Sequence, residues 1–396
     1  MTAQHAVRVA FFAHLPFHRP ILEPVRDDLA PRADCLLSSD RERITGFDPH
    51  VLAMASHAHL EYFRERLPRT LMVNVRHGLV GKTIISRLPN RKTARWFDYV
   101  CVGAEGKIAT YERSGVAPRE YWLTGYPQLD PLFRRDDPPS LPLPPGRKTV
   151  LYAPTWNLGL TSAVMLGARL VELIRAEAPD VNVVIKPHPV IGDWRPRWMA
   201  RWERLAATSR GVHLVRDTHA DVTPYLLAAD ALVSDASSVI FEFLALDRPI
   251  ILVTNPRHAA DPAYDPEDII WSWRDVGEEV HAADLLPGAV ARALHCPAAR
   301  AQRRRDYGSL LFGPFTDGQN HARVAEKILG VATAVAAGAA PTPVRRVAGG
   351  SAAERRWYDF RIRLGTLSVV RRHLLNPLEE LRLRARALRL RPSSAG

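Results

Sequence analysis

Residues 224–249 read PYLLAADALVSDASSVIFEFLALDRP. Residues 225–229 have helical spacing, 231–234 (ALVS) form a short apolar run, and 239–246 are helical again, with the apolar run 250–253 beyond them. Helix, strand, small-residue turn, helix and strand in that succession is the texture of βαβ units. Strands that are apolar throughout belong in a parallel sheet covered on both faces.

The same alternation extends upstream. Residues 149–153, 181–186 and 212–215 read as strands, with a helix expected over 162–177. Before them, residues 136–148 (DDPPSLPLPPGRK) hold five prolines and a glycine, which neither a helix nor a central strand tolerates, so this stretch reads as an interdomain linker. Alternation is found again on its N-terminal side, with strands expected at 7–14, 35–38, 51–55, 71–75, 99–102 and 121–123 and helical spacing at 107–114. The expected organisation is an N-terminal Rossmann-like domain over 1–135, a linker over 136–148 and a second Rossmann-like domain over 149–331. An Ala/Gly/Pro-rich connection at 332–350 and a basic amphipathic tail at 351–396 follow. Two α/β halves joined in this way enclose a cleft, where ligands meet the carboxyl ends of strands.

Composition narrows the class. The 396 residues are 46% hydrophobic and 24% charged, which suits a globular chain with a sizeable core. No apolar run reaches the length a bilayer span needs, and the N-terminus lacks the basic start and cleavage site of a signal peptide. Cys35, Cys101 and Cys296 lie far apart, so neither a zinc site nor a disulfide framework is expected, and a reducing cytoplasm fits. Of the net charge of +12, residues 345–396 carry +9, from thirteen Arg and four acidic residues. Trp357, Phe360, Leu364, Leu367 and Val370 recur there at helical spacing, with Arg between. A basic tail on a near-neutral body points to an anionic membrane surface; a helical hairpin packed on the body is the alternative. Without a recognisable reading module, nucleic acid is not expected as a partner.

Several short motifs carry chemistry. Asp235, Ser237 and Ser238 follow a strand and open a helix, where hydroxyls and free backbone amides suit a phosphate, although an ordinary helix cap has the same composition. His188, in Lys186-Pro187-His188-Pro189, stands at a strand's carboxyl end facing the expected cleft, as an acid or a phosphate donor. His77 follows the strand at 71–75 and is flanked by Arg76 and Gly78, with Lys82 close behind. The segment is not a P-loop, because position 76 would have to be glycine. Thr155 closes the first strand after the linker, in Tyr-Ala-Pro-Thr-Trp. No D-x-D triplet occurs, so no metal site and no cofactor are expected.

In order along the chain, these pieces resemble the CDP-glycerol glycerophosphotransferase family of teichoic-acid and capsule polymer enzymes. The resemblance covers roughly residues 70–330. It is carried by His77-Gly78, Gly125-Tyr126-Pro127 with Asp130, residues 152–156, Lys186-Pro187-His188-Pro189, the run 224–249, and Asp317-Gly318 with Arg323. The resemblance implies a GT-B fold and transfer of a glycerol-phosphate or related polyol-phosphate unit from a CDP-linked donor to an alcohol acceptor, releasing CMP. By position, it implies that His77 is the general base and His188 the partner of the donor phosphate. Thr155, Lys186, Asp235, Ser237, Ser238 and Glu242 become candidate donor contacts, and Arg76, Gly78, Lys82 and Arg323 further candidates. A lipid-linked or polymeric acceptor would then bring the enzyme to the inner face of a bacterial membrane. A nucleotide-sugar transferase or UDP-sugar epimerase shares the expected layout, and a non-catalytic scaffold is the reading from another class.

Overall fold

The computed structural model describes residues 7–77, 79, 97–113, 118–261 and 263–339. The Arg-rich tail, Gly78 and Lys82 lie outside the described residues.

The first sheet contains β1 (Arg8–Phe12), β2 (Asp34–Ser38), β3 (Val51–Met54), β4 (Leu71–Asn74), β5 (Tyr99–Val102) and β6 (Glu120–Leu123), all parallel, in the order β2-β1-β3-β4-β5-β6. The second contains β7 (Thr149–Ala153), β8 (Asn182–Ile185), β9 (Val212–Leu214), β10 (Ala231–Ser234), β11 (Ile250–Val253) and β12 (Glu278–Val280), again parallel, ordered β12-β11-β10-β7-β8-β9. Val51–Met54, Tyr99–Val102, Asn182–Ile185 and Ile250–Val253 are buried at every position, as central parallel strands covered on both faces require. In each sheet the winding reverses beside the first strand, between β1 and β3 and between β7 and β10. Those reversals open a crevice at the carboxyl ends of the strands.

Three expectations need correction. The helix expected over 162–177 is broken at Gly167, whose φ of +54° separates the short helix Ala163–Leu166 from the helix Leu170–Arg175. The edge strand β12 was not anticipated, because Glu278-Glu279-Val280 is short and mostly polar. The most consequential concerns the end of the second domain. The helix Asn320–Ala336 runs through the expected boundary at 331 and packs on the first sheet, burying Val324, Ala325, Ile328 and Ala332 against Val9, Leu22 and Trp122. Its spacing of four residues between Val324, Ile328 and Ala332 is the apolar stripe of a docked helix.

A clasp holds this crossover. The Asp130 carboxylate accepts from the backbone N–H groups of Asn320 (3.1 Å) and His321 (2.8 Å) at the start of the helix, and from His321 Nδ1 (2.7 Å). Arg134 donates to the Gly318 carbonyl (2.9 Å). At Gly125, φ is +74° and a β-carbon would stand 2.2 Å from Asn320 Oδ1, so only glycine fits there.

Candidate functional site

The crevice between the sheets encloses a cavity of about 510 Å³. One wall comes from the first domain, through Leu15 and Phe17 after β1, Ala55-Ser56-His57 after β3, and Asn74, Arg76 and His77 at the end of β4. The other comes from the second domain, through Ala153-Pro154 after β7, Lys186 to Val190 after β8, His219 to Thr223 after β9, and Ser237, Ser238, Val239 and Glu242 after β10. Of the residues anticipated from sequence, the fold therefore brings Arg76, His77, Lys186, His188, Ser237, Ser238 and Glu242 into one cavity.

His77 is the most constrained. Its backbone N–H (2.8 Å) and its ring Nδ1 (2.7 Å) both point at the Ala55 carbonyl. A carbonyl can only accept, so Nδ1 carries the hydrogen and Nε2 keeps its lone pair. The ring is open to the cavity yet closely surrounded by protein on its other sides, and this crowding brings its pKa down to about 4, with the Ala55 bond opposing the shift. At neutral pH it is an unprotonated imidazole with its accepting nitrogen available.

His188 is arranged in the opposite sense. The Val190 N–H donates to its Nδ1 at 3.4 Å, which leaves the hydrogen of the neutral ring on Nε2. The Trp156 ring stands 6.3 Å away, centroid to centroid. Beside it the buried Lys186 ammonium donates to the carbonyls of Thr218 (2.8 Å) and Pro187 (3.2 Å). Burial lowers its pKa to about 8, and one N–H remains beyond the two carbonyl bonds. Ser238 occupies the cap position of the helix Val239–Phe243 without making a side-chain capping bond. Burial, reinforced by Asp221, pushes Glu242 up to about 8, so its carboxyl is largely protonated at neutral pH. The arrangement can accept a proton on one wall and donate hydrogen bonds to an anion on the other.

Three anticipated residues stand elsewhere. Asp235 is 1% exposed and turns away from the cavity. Its Oδ1 accepts from the amides of Thr155 (2.8 Å) and Ala236 (2.7 Å), and its Oδ2 from the amide (2.7 Å) and hydroxyl (2.7 Å) of Ser162. Asp235 thus clips the loop after β7 to the loop after β10 and fixes the floor of the crevice. The buried Thr155 takes part through its backbone amide, and its side chain does not line the cavity. Arg323 pairs with Asp317 and reaches Asn320 Oδ1 (3.0 Å) near the clasp, away from the cavity. Phe17, His57, Asn74, His219 and Asp221 line the cavity without having been anticipated; only the turn-forming Asp221-x-Thr223, whose side chains bond at 3.1 Å, carries a local signal.

The family model for CDP-Glycerol:Poly(glycerophosphate) glycerophosphotransferase matches residues 50–261, more than half of the chain and most of both cavity walls. The chain belongs to this family. Among curated relatives, the teichoic acid glycerol-phosphate primase of Bacillus subtilis (strain 168) is 28% identical over 184 residues, 44% of this chain and 43% of the relative. The teichoic acid ribitol-phosphate polymerase TarK of Staphylococcus aureus is 25% identical over 255 residues, 61% of this chain and 45% of the relative. The chain therefore spans less than half the length of these two relatives. The solved wall teichoic acid polymerase TagF superposes with a TM-score of 0.67 at 15% identity, over 82% of this chain and 88% of that one. UDP-GlcNAc 2-epimerase from Neisseria meningitidis, bound to UDP-GlcNAc, gives 0.52 at 12% identity, over 82% and 99%. These structures share the fold, two parallel-sheet α/β domains of GT-B type.

Proposed function

We propose that this chain transfers a glycerol-phosphate or related polyol-phosphate unit from a CDP-linked donor to an alcohol acceptor, and releases CMP. The observation that carries the reading is the pairing of His77, with Nδ1 tied to Ala55 and Nε2 left as the accepting nitrogen, with the donor-rich wall of His188, Lys186, Ser237 and Ser238 across one cavity. Membership of the family and the names of its teichoic-acid relatives favour the same chemistry.

In this mechanism the acceptor hydroxyl gives its proton to His77 Nε2 as its oxygen attacks the distal phosphorus of the donor. The bond from that phosphorus to the bridging oxygen breaks, and CMP leaves with the electron pair. His188 Nε2–H, the remaining Lys186 N–H and the two serine hydroxyls stabilise the charge on the phosphate oxygens. Positioning and charge neutralisation supply most of the acceleration, because the protein forms no covalent bond to the substrate. The acceptor is a lipid-linked or polymeric polyol, and the Arg-rich sequence at 345–396 would draw the enzyme to an anionic membrane.

The test is nucleotide release with CDP-polyol and UDP-sugar donors and a membrane extract as acceptor source. CMP released from a CDP-polyol, and lost by about 10²–10⁴-fold in His77→Asn, is the expected result. Release of UDP or formation of an epimer instead would move the chain to the chemistry of its UDP-sugar fold neighbours. Silence with every donor would leave a scaffold.

A further inference from the structure

Arg76 is the one cavity-lining residue other than glycine, among those described, whose backbone is left-handed, with φ of +68°. Such a conformation strains a non-glycine residue and persists where the surroundings over-determine it. The surroundings are visible, because the Arg76 amide donates to Asn74 Oδ1 at 3.0 Å. The consequence is visible too. Along an extended strand, successive side chains point to opposite faces, which would send Arg76 and His77 apart. With the left-handed turn, both line the same cavity.

The guanidinium lies over the Tyr111 ring, its Cζ 4.8 Å from the centroid, and its buried Nε meets no hydrogen-bond partner. No carboxylate forms an ion pair with it among the described residues. Lys107, 8% exposed, is close enough for the two cations to repel, and it too makes no salt bridge to a described carboxylate, although it feels the charge of Asp268. The Tyr111 hydroxyl is buried without a partner, the Tyr126 hydroxyl lies against the Gly103 backbone, and both feel the Arg76 charge. The corner is thus rich in donors and positive charge. Buried charge without a partner is costly, and a ligand anion would offset the cost.

We propose that Arg76, backed by the charge of Lys107, forms an anion subsite on the acceptor wall, which holds a phosphate about one polyol unit away from the hydroxyl presented to His77. This rests on the phosphotransferase reading above. Arg76 and His77 both line the cavity, and the Arg76 charge reaches the His77 ring, so one short ligand can present a hydroxyl to His77 and a phosphate to Arg76. A polyol-phosphate chain end has that form, and a bare lipid alcohol or neutral sugar does not. The donor's own phosphates face Lys186, His188, Ser237 and Ser238 on the opposite wall.

The experiment is calorimetric titration of the full chain with sn-glycerol 3-phosphate, alone and with CDP at saturation, using glycerol as the uncharged control. Arg76→Asn and Arg76→Gly are the variants, since both residues accept the left-handed conformation and so keep the fold. Melting curves report whether they do, and Lys107→Met, which leaves the strained turn intact, provides a second removal of charge. Wild type should bind glycerol 3-phosphate and prefer it to glycerol. The Arg76 variants should weaken it by roughly ten- to a hundredfold with CDP affinity unchanged, as expected for loss of a charged hydrogen bond. Undiminished glycerol 3-phosphate binding in the variants, or no preference over glycerol in wild type, would overturn the subsite. Loss of CDP affinity in the variants would do so as well, by assigning Arg76 to the donor. Failure of wild type to bind CDP at all would instead refute the phosphotransferase reading, and the titration with glycerol 3-phosphate alone would still decide the subsite.

Discussion

Replacing His18 by phenylalanine should make the first domain more resistant to acid. His18 has no solvent exposure, and neither of its ring nitrogens meets a hydrogen-bond partner. Its ring packs against His14 at 4.7 Å, Phe17 at 4.8 Å and His77 at 5.0 Å between centroids. Burial first, then the neighbouring His77 and His14, drive its pKa from 6.5 to about 2. The folded state therefore refuses a proton that the unfolded chain accepts, and stability falls as pH drops below the unfolded value. Each unit of pH costs about 1.4 kcal/mol for one such proton, so at pH 5 the loss from His18 is about 2 kcal/mol. Phenylalanine has no proton to refuse. Between pH 8 and pH 5 the His18→Phe variant should gain about 2 kcal/mol on wild type. His14, lowered to about 4, remains in both proteins and keeps some acid sensitivity in the variant. The assay is urea unfolding at a series of pH values, followed through amide-exchange protection of β1 and β3, so that the first domain alone is read. Parallel pH dependences for the two proteins would refute the reasoning, because they would mean that His18 titrates in the folded state as it does in the unfolded chain.

Three further outcomes follow from the geometry. Glu242, pushed up to about 8, keeps in the folded state a proton that the unfolded chain loses near 4.5. Wild type should thus lose stability as pH rises through that window, while Glu242→Gln should not; urea midpoints that stay in step from pH 5 to pH 9 would disprove this. Gly125→Ala drives a methyl group to 2.2 Å from Asn320 Oδ1 at a φ of +74°, and should cost about 2 kcal/mol or more, with exchange protection lost first in the helix Asn320–Ala336. An unchanged melting temperature would reject the clasp. Ser162→Ala removes a donor to the buried Asp235 and the partner of the Tyr152 hydroxyl at 2.9 Å, and should cost about 1–3 kcal/mol by thermal or urea unfolding. No loss would mean that Asp235 does not depend on that clip.

What the sequence reveals depends on where each residue's partners lie. The two α/β halves and the proline-rich junction are legible because buried parallel strands must be apolar throughout and prolines interrupt regular structure, both local properties. β12 escapes because an edge strand of three residues, two of them glutamates, has neither property. The return of the helix Asn320–Ala336 to the first domain escapes for a different reason. Its apolar stripe is plain in the sequence, but which sheet receives it is decided by Asp130, far upstream, capping Asn320 and His321. For the site, His77 and His188 stand where strand ends place them, whereas their tautomers depend on the Ala55 carbonyl and the Val190 amide, which side-chain identity does not encode. Asp235 shows the reverse failure. A charged residue inside a phosphate-like motif looks like a contact, yet the surrounding amides and hydroxyl consume both of its oxygens.

The motif residues thus separate into two groups with different physical tasks. His77, His188, Lys186, Ser237, Ser238 and Glu242 face the cavity, whereas Gly125, Asp130, Asp235 and Gly318 set the frame that aims them. The frame has a consequence for the acceptor. Because the clasp brings the helix Asn320–Ala336 back onto the first sheet, the last described helix ends on the domain that carries His77 and Arg76. The Arg-rich sequence that follows is therefore joined to the first domain, whose wall takes the acceptor in the mechanism proposed above. On the proposed mechanism, engagement of that sequence with an anionic bilayer would hold the acceptor-side domain at the membrane and leave the donor side open to a soluble nucleotide. A tail attached to the second domain would have reversed that orientation.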